Sequence, residues 1–395
     1  MLHVTTKGGL RCHNLIAGSQ RRRCLRCNHI VSAALVTPST RLLFAASPAL
    51  DHDWPGHPES AARVPAILDE LAARGLTPEA LGPALVQLTD VQEASDDALR
   101  LVHTQQYINS MRLLSDRRAP CLYDADTYLQ KTSWESARRG VGAALALVDA
   151  VVSASRERLA PSGFALCRPP GHHALQHSAM GFCIISTAAV AARHAQQVHG
   201  LRKVLIYDFD THHGNGTQAA FENDPSVLYV STHQHNSFPY TGTLTEVGTG
   251  PGEGATANVP LPGGSGDAAA RQAMESIIGP LAERFQPDII IASAGYDAHW
   301  RDPLAGMMWR DSTYYSMCTS LRALAEKHCS GRLVCLLEGG YDLKGLARGA
   351  ADSFAALLGM PPGASDPDER ALRTADEPSA AVAKVITEAR AIHGL

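Results

Sequence analysis

The chain of 395 residues is 45% hydrophobic and can bury a large core, as one α/β domain or two smaller ones, while no apolar run reaches membrane-spanning length. Charge is unevenly spread: Lys7, Arg11, Arg21, Arg22, Arg23, Arg26 and Arg41 are the only Lys, Arg, Asp or Glu residues among the first 50, and without those seven the 35 basic residues fall to 28 against 39 acidic ones. An acidic body argues against nucleic-acid binding and is compatible with cationic substrates.

The acid-free N-terminal segment, followed by Val31-Ser32-Ala33-Ala34, reads as a transit peptide over residues 1–40. The chloroplast stands ahead of the mitochondrion, and a basic tail of a cytoplasmic or nuclear protein is the competing reading. Nine cysteines, odd in number and irregular in spacing, are expected to be reduced thiols. Cys24-Leu25-Arg26-Cys27 lacks the second pair that a closed zinc knuckle needs.

A main domain is expected over 41–360. Residues 52–63 (HDWPGHPESAAR) read as a Pro/Gly-containing loop, 64–74 as a helix, 101–107 as a short helical stretch, 124–132 as a polar loop over the surface, and 134–159 as a long buried helix. A series of short β-rich runs follows, each ending in polar residues. Residues 164–167 lead into Arg168-Pro169-Pro170-Gly171-His172-His173, 204–207 into Asp208-Phe209-Asp210-Thr211-His212-His213-Gly214-Asn215-Gly216-Thr217, and 227–230 into Ser231-Thr232-His233. Residues 289–292 lead into Ser293-Ala294-Gly295-Tyr296-Asp297, and 333–337 into Glu338-Gly339-Gly340-Tyr341. Helical patterns at 185–198, 268–284, 312–328 and 343–358 alternate with them. The fold class is therefore α/β, with a mainly parallel central sheet covered by helices on both faces, and the ligand crevice belongs beyond the carboxyl ends of the strands. The Gly/Pro-rich run 248–266 lacks a phosphate-loop ending and reads as structural loop, and 361–395 as a polar linker with a short terminal helix.

Asp210 and His212 alternate with Phe209 and Thr211, so an extended segment points both to one side. With Asp297 from another strand end they form an Asp, His, Asp set with an open position, suited to one zinc ion that polarises a carbonyl and activates water. Neighbouring His172 and His173 supply a general base and acid near neutrality. Tyr341, after two glycines, is placed to donate its hydroxyl to an oxyanion. Asp208 and Asn215 are expected to orient the imidazoles.

Six stretches in order carry a resemblance: HPESAAR at 57–63, RPPGHHA at 168–174, GFC at 181–183, DFDTHHGNGT at 208–217, SAGYDAHWRDPLAG at 293–306 and EGGYD at 338–342. Over residues 51 to about 358 the chain resembles the histone deacetylase superfamily, in its class II-like branch shared by bacterial and organellar proteins. The resemblance implies the arginase/deacetylase fold and a zinc-dependent amidohydrolase that removes acetyl groups from lysine side chains of proteins. It places Zn2+ on Asp210, His212 and Asp297, the base on His173 with His172 as its partner, and carbonyl polarisation on Tyr341. Gly181, Phe182 and Phe238 would line the acyl-lysine tunnel, either Asp124 or Asp126 would anchor substrate at the rim, and a structural K+ would bind carbonyls around Asp208, Asp210, His212 and Ser231. Two departures are Tyr240, where the family often has a small residue, and Leu304, where polyamine-selective members carry a glutamate. The implied partners are acetylated lysine-containing proteins or small acetylated amines. Acetylpolyamine or other small-acetamide hydrolysis is the alternative, and a non-catalytic scaffold the rival from another class. A ureohydrolase is less compatible, because it needs further acids and a histidine for a second manganese.

Overall fold

The computed structural model describes residue 37 and residues 39–156, 159–371 and 377–395, so the leader reading lies almost wholly outside the described residues. The described residues hold ten strands: β1 (Leu42–Ser47), β2 (Leu85–Gln87), β3 (Cys121–Leu122), β4 (Tyr128–Leu129), β5 (Ser162–Cys167), β6 (Val204–Asp208), β7 (Val227–Gln234), β8 (Thr256–Leu261), β9 (Ile289–Ala294) and β10 (Leu333–Leu337). Eight form one sheet in the order β2-β1-β5-β10-β9-β6-β7-β8, every neighbouring pair parallel. β3 and β4 form a separate antiparallel pair.

The central strands are apolar throughout because both faces are covered. Val204 and Ile206 of β6 point into a core made with the helices Ser133–Ala154 and Thr187–His199. Leu205 and Tyr207 point into the opposite core, made with helices Arg63–Ala73, Asp311–His328 and Leu343–Leu358. All four are fully buried, each such side chain stabilising the sheet by roughly 1.5–3 kcal/mol. No described helix is long and apolar enough to cross a membrane.

Three expectations need correction. Residues 248–266 are not simply loop: they hold β8, paired with β7 from Tyr229↔Thr256 to Gln234↔Leu261. Flanking glycines hide the strand, and Pro260 is tolerated because β8 is an edge strand with one side free of ladder bonds. Residues 124–132 do not all lie over the surface, since Thr127, Tyr128 and Leu129 are buried. The helix expected to reach 159 ends at Ala154. The helical pattern at 268–284 is present as Asp267–Ala273 and Gly279–Phe285, joined through a π turn at Met274–Ile278, just before Pro280 removes the N–H that a continuous α-helix would use. The terminal helix Ser379–His393 packs on β8 through the face carrying Val382, Ile386 and Ala389, covering the open edge of the sheet.

Candidate active site

The carboxyl ends of β5, β10, β9 and β6 lie side by side and carry almost every candidate residue. β6 ends at Asp208, so Asp210 and His212 are not on a strand, as a two-residue period implies. They converge through a bend in which the Asp210 N–H donates to Asp208 Oδ1 (3.2 Å) and the His212 N–H to Asp210 Oδ1 (2.9 Å). A carboxylate that accepts from the backbone two residues on is the local chemistry of an Asx turn. His212 Nδ1 then lies 3.3 Å from Asp210 Oδ1 and 2.9 Å from Asp297 Oδ2. The outer oxygens are held by backbone donors: Thr211 N–H to Asp297 Oδ1 and Gly339 N–H to Asp210 Oδ2, both at 2.8 Å. Position 339 must be glycine, because a Cβ there would sit 2.4 Å from Asp297 Oδ2.

Asp210 and Asp297 are fully buried and face one another. Burial, and next the Asp210 charge, push the Asp297 carboxyl up to about 7. Burial opposes the charged form of Asp210 too, but His172 and His212 hold its carboxyl below the ordinary range. Burial also works against the His212 cation, yet Asp297 and Asp210 outweigh it and raise the imidazole to about 10. Two buried carboxylates thus draw positive charge to one point. One imidazole nitrogen and two carboxylate oxygens within 4.8 Å of one another form a donor set that fits zinc and leaves the charge balanced by a divalent ion.

The two expected histidines stand beside this cluster in contrasting surroundings. His172 Nδ1 lies 3.1 Å from Asp208 Oδ2, which also accepts from the Tyr229 hydroxyl, and His172 Nε2 is 3.8 Å from Asp210. Burial disfavours its cation, but Asp210 and Asp208 prevail and raise it well above the ordinary histidine value. His173 Nδ1 instead meets Asn215 Oδ1 at 2.8 Å, the amide being oriented by its Nδ2 contact to Met180 Sδ. An amide oxygen only accepts, so His173 carries its proton on Nδ1 and presents Nε2 as a base. Burial, His172 and His212 all hold this imidazole well below its ordinary value. Asp208 and Asn215 therefore each meet the imidazole they were expected to orient.

Two aromatic rings adjoin His173 and Tyr341. Phe238 stands edge-on to His173 at 5.1 Å between centroids, and Phe182 edge-on to Tyr341 at 5.6 Å. Gly181 has φ +54°, and a Cβ there would come within 2.6 Å of the His173 ring and 2.8 Å of Phe238. Tyr341 is partly buried, and among the described residues its hydroxyl has no hydrogen-bond partner; burial and then Asp297 raise its pKa well above 10, so it stays a donor. Asp124 spends its carboxylate on the Asp126 and Thr127 N–H groups and the Thr127 hydroxyl. The Asp126 carboxyl is raised by burial and then by the Asp124 carboxylate beside it, and its backbone carbonyl accepts from His57 Nε2, whose ring packs on Phe182. Leu304 is 41% exposed on the loop after Asp297, and Tyr240 is 74% exposed.

The histone deacetylase domain family matches residues 57–357. The chain belongs to the histone deacetylase family. It is 45% identical over 361 residues to "Histone deacetylase 14, chloroplastic" of Arabidopsis thaliana, covering 90% of this chain and 85% of that protein. It is 37% identical over 311 residues to "Polyamine deacetylase HDAC10" of Homo sapiens, covering 76% of this chain and 44% of that protein. The crystal structure of the HDA15 HD domain superposes with a TM-score of 0.79 at 34% identity, over 90% of this chain and 94% of that one. This chain is therefore a deacetylase-family amide hydrolase, with the α/β fold and the class II-like character that its motifs imply.

In this histone deacetylase family member several residues support the site without having been assigned a role from sequence. Glu59 accepts from Arg63 Nη1 (3.1 Å), from Arg168 Nη2 (2.7 Å) and from Arg168 Nε, and all three residues are fully buried. Arg63 continues to the Gly340 carbonyl (2.7 Å) and lies 5.1 Å from the centre of the Tyr341 ring. Glu338 accepts from the N–H groups of Gly171 and His172 and from the Ser293 hydroxyl, fixing the two-histidine loop to β9 and β10. Asp302 accepts from the Tyr341 N–H (2.7 Å) and the Leu304 N–H (2.9 Å), joining the tyrosine loop to the Asp297 loop. All of them lie inside the motifs, and the available signal was a charged residue on an otherwise apolar helix face or strand end.

Proposed function

We propose that this chain is a zinc-dependent protein lysine deacetylase. One observation carries the reading: an Asp-His-Asp cluster, a neutral and a charged histidine and an unpartnered tyrosine hydroxyl meet beside the rings of Phe182 and Phe238. Asp210, His212 and Asp297 would hold the ion. When bound, zinc supplies a Lewis acid for the amide carbonyl and lowers the pKa of water.

The chain's own groups do the rest. The two rings grip the slender stem of an acyl-lysine and exclude water around the amide. His173, its proton fixed on Nδ1 by Asn215, takes a proton through Nε2 from the water that attacks the amide carbon. The Tyr341 hydroxyl donates to the oxyanion as the carbonyl bond opens. His172, kept cationic by Asp208 and Asp210, balances the growing negative charge, and the leaving amine departs with a proton returned from the histidine pair. Asp126, whose carboxyl accepts none of the backbone N–H bonds that occupy Asp124, is the rim acid that receives backbone N–H groups of a peptide substrate.

The acetylpolyamine reading draws on the relative of that name. It is disfavoured here by Leu304, because an apolar side chain at that position offers a distal ammonium no charge contact. The acid-free leader and the plastid relative support residence in the chloroplast. The test is kcat/KM of the zinc-loaded protein on an acetyl-lysine peptide and on acetylspermidine. Preference for the peptide is expected, and preference for the polyamine overturns the substrate assignment.

A further inference from the structure

Helix Ser133–Ala154 ends before β5 and helix Thr187–His199 ends before β6, so both C-termini lie at the amino end of the sheet. The second helix begins beside the catalytic loops and, at thirteen residues, carries its last residue about 20 Å away from them. There, Asp149 from one helix meets His194 and His199 from the other. Each histidine places Nε2 2.6 Å from the same oxygen, Asp149 Oδ1, with ring centroids 5.6 Å apart and planes crossed at 76°. His194 is 2% exposed, and the side chains of Asp149 and His199 are 15% and 11% exposed. No Lys or Arg among the described residues pairs with Asp149.

We propose that Asp149, His194 and His199 form a second binding site for a divalent transition-metal ion of the zinc class, structural rather than catalytic. Ligand atoms around a tetrahedral zinc stand about 3.3 Å apart, as its bond lengths require. The catalytic trio, at 2.9 and 3.3 Å, is close to that spacing, whereas the Asp149 trio, at 2.6 Å, stands at hydrogen-bond distance and has to open by about 0.7 Å to admit an ion. Three separate side chains also keep their ligand atoms within 4.8 Å of one another in both places. Two imidazoles and one carboxylate leave a site with a divalent ion at a net charge of +1. His199 is the last residue of its helix, where the exposed carbonyl ends of the helix favour positive charge. An ion there would clip the two helices covering one face of the sheet at the point where the chain turns into β6.

The competing account is that both imidazoles simply donate Nε2–H to Asp149. Zinc content of the untagged full-length protein, measured after loading and exhaustive dialysis, separates the two. The wild type should hold two zinc ions per chain, His199→Gln and Asp149→Asn one, with turnover unchanged and a lower melting temperature in zinc. His199→Gln keeps a polar side chain that can still donate to Asp149 at the helix end, so it tests the ligand rather than the fold. One ion in the wild type that survives His199→Gln and disappears with Asp210→Ala overturns the second site alone. One ion lost with His199→Gln but kept in Asp210→Ala supports this site and overturns the catalytic metal reading instead.

Discussion

Two groups of buried charge lie within this domain, and they have opposite consequences. Around Glu59 one carboxylate is met by two guanidinium groups, whose remaining N–H groups reach backbone carbonyls of Gly340, Pro48, Ala49 and His52. Burial opposes the Glu59 charge, but Arg168 and His52 hold the carboxyl well below its ordinary value, so the network is satisfied from within. Around Asp210 and Asp297 two carboxylates converge on the His212 imidazole, with His172 Nε2 3.8 Å from Asp210, and backbone donors reach both Asp210 oxygens and Asp297 Oδ1. A buried charge network whose hydrogen bonds are all met from within fixes architecture, whereas buried carboxylates that converge on one point call for a cation.

Substitution should separate the two regions. The largest effect is expected for Asp210→Ala: catalytic zinc and turnover both lost, in a chain that still melts cooperatively. Measurable turnover with a full complement of zinc would break the contrast at its active half. Glu59→Ala should do the reverse, destabilising by about 3–5 kcal/mol because two buried guanidinium groups lose their partner, with zinc retained in the fraction that folds. Denaturant titration checks this, and a loss within about 0.5 kcal/mol would mean the network is dispensable.

Tyr341→Phe comes next, with kcat falling on the order of 10²-fold and KM little changed, since the hydroxyl acts mainly on the transition state. An unchanged kcat with raised KM would reduce it to a binding contact. Acid should also divide the regions. Zinc must displace protons from His212, raised to about 10, and from Asp297, raised to about 7, so its apparent affinity should rise with pH through neutrality and fall below about 7. The Glu59 carboxyl is depressed, so its stabilisation is full above the unfolded value near 4.5 and is lost only as pH falls further toward the folded one. Calorimetric zinc titrations in buffers of different ionisation enthalpy should reveal proton release, and none between pH 6 and 8 would contradict the first half. The smallest effect is expected at the mouth: Leu304→Glu should move the kcat/KM ratio toward acetylspermidine by about tenfold or less, as one added surface charge contact allows.

The convergence of the Asp210 and Asp297 region was legible because its residues are dense at strand ends. Asp210, His212, Asp297, His172, His173 and Tyr341 each follow an apolar run, and parallel topology brings such ends together. The local geometry was not legible, since the bend after Asp208 depends on carboxylate-to-backbone bonds that a two-residue period does not encode. β8 escaped notice because glycine and proline around it resemble loop composition, although an edge strand tolerates both. Glu59, Arg63 and Arg168 were visible as motif letters only, because a charge pairing across 109 residues leaves no periodic trace. The Asp149 trio was harder still, being split between two helices whose pattern speaks only of burial.

The most direct test of the central claim is a zinc-edge anomalous difference map from crystals of the zinc-loaded protein. A peak bonded to Asp210, His212 and Asp297, with His173 Nε2 facing an adjacent solvent oxygen and none among Glu59, Arg63 and Arg168, is the expected result. A zinc-loaded, active crystal with no peak between Asp210 and Asp297 would contradict it.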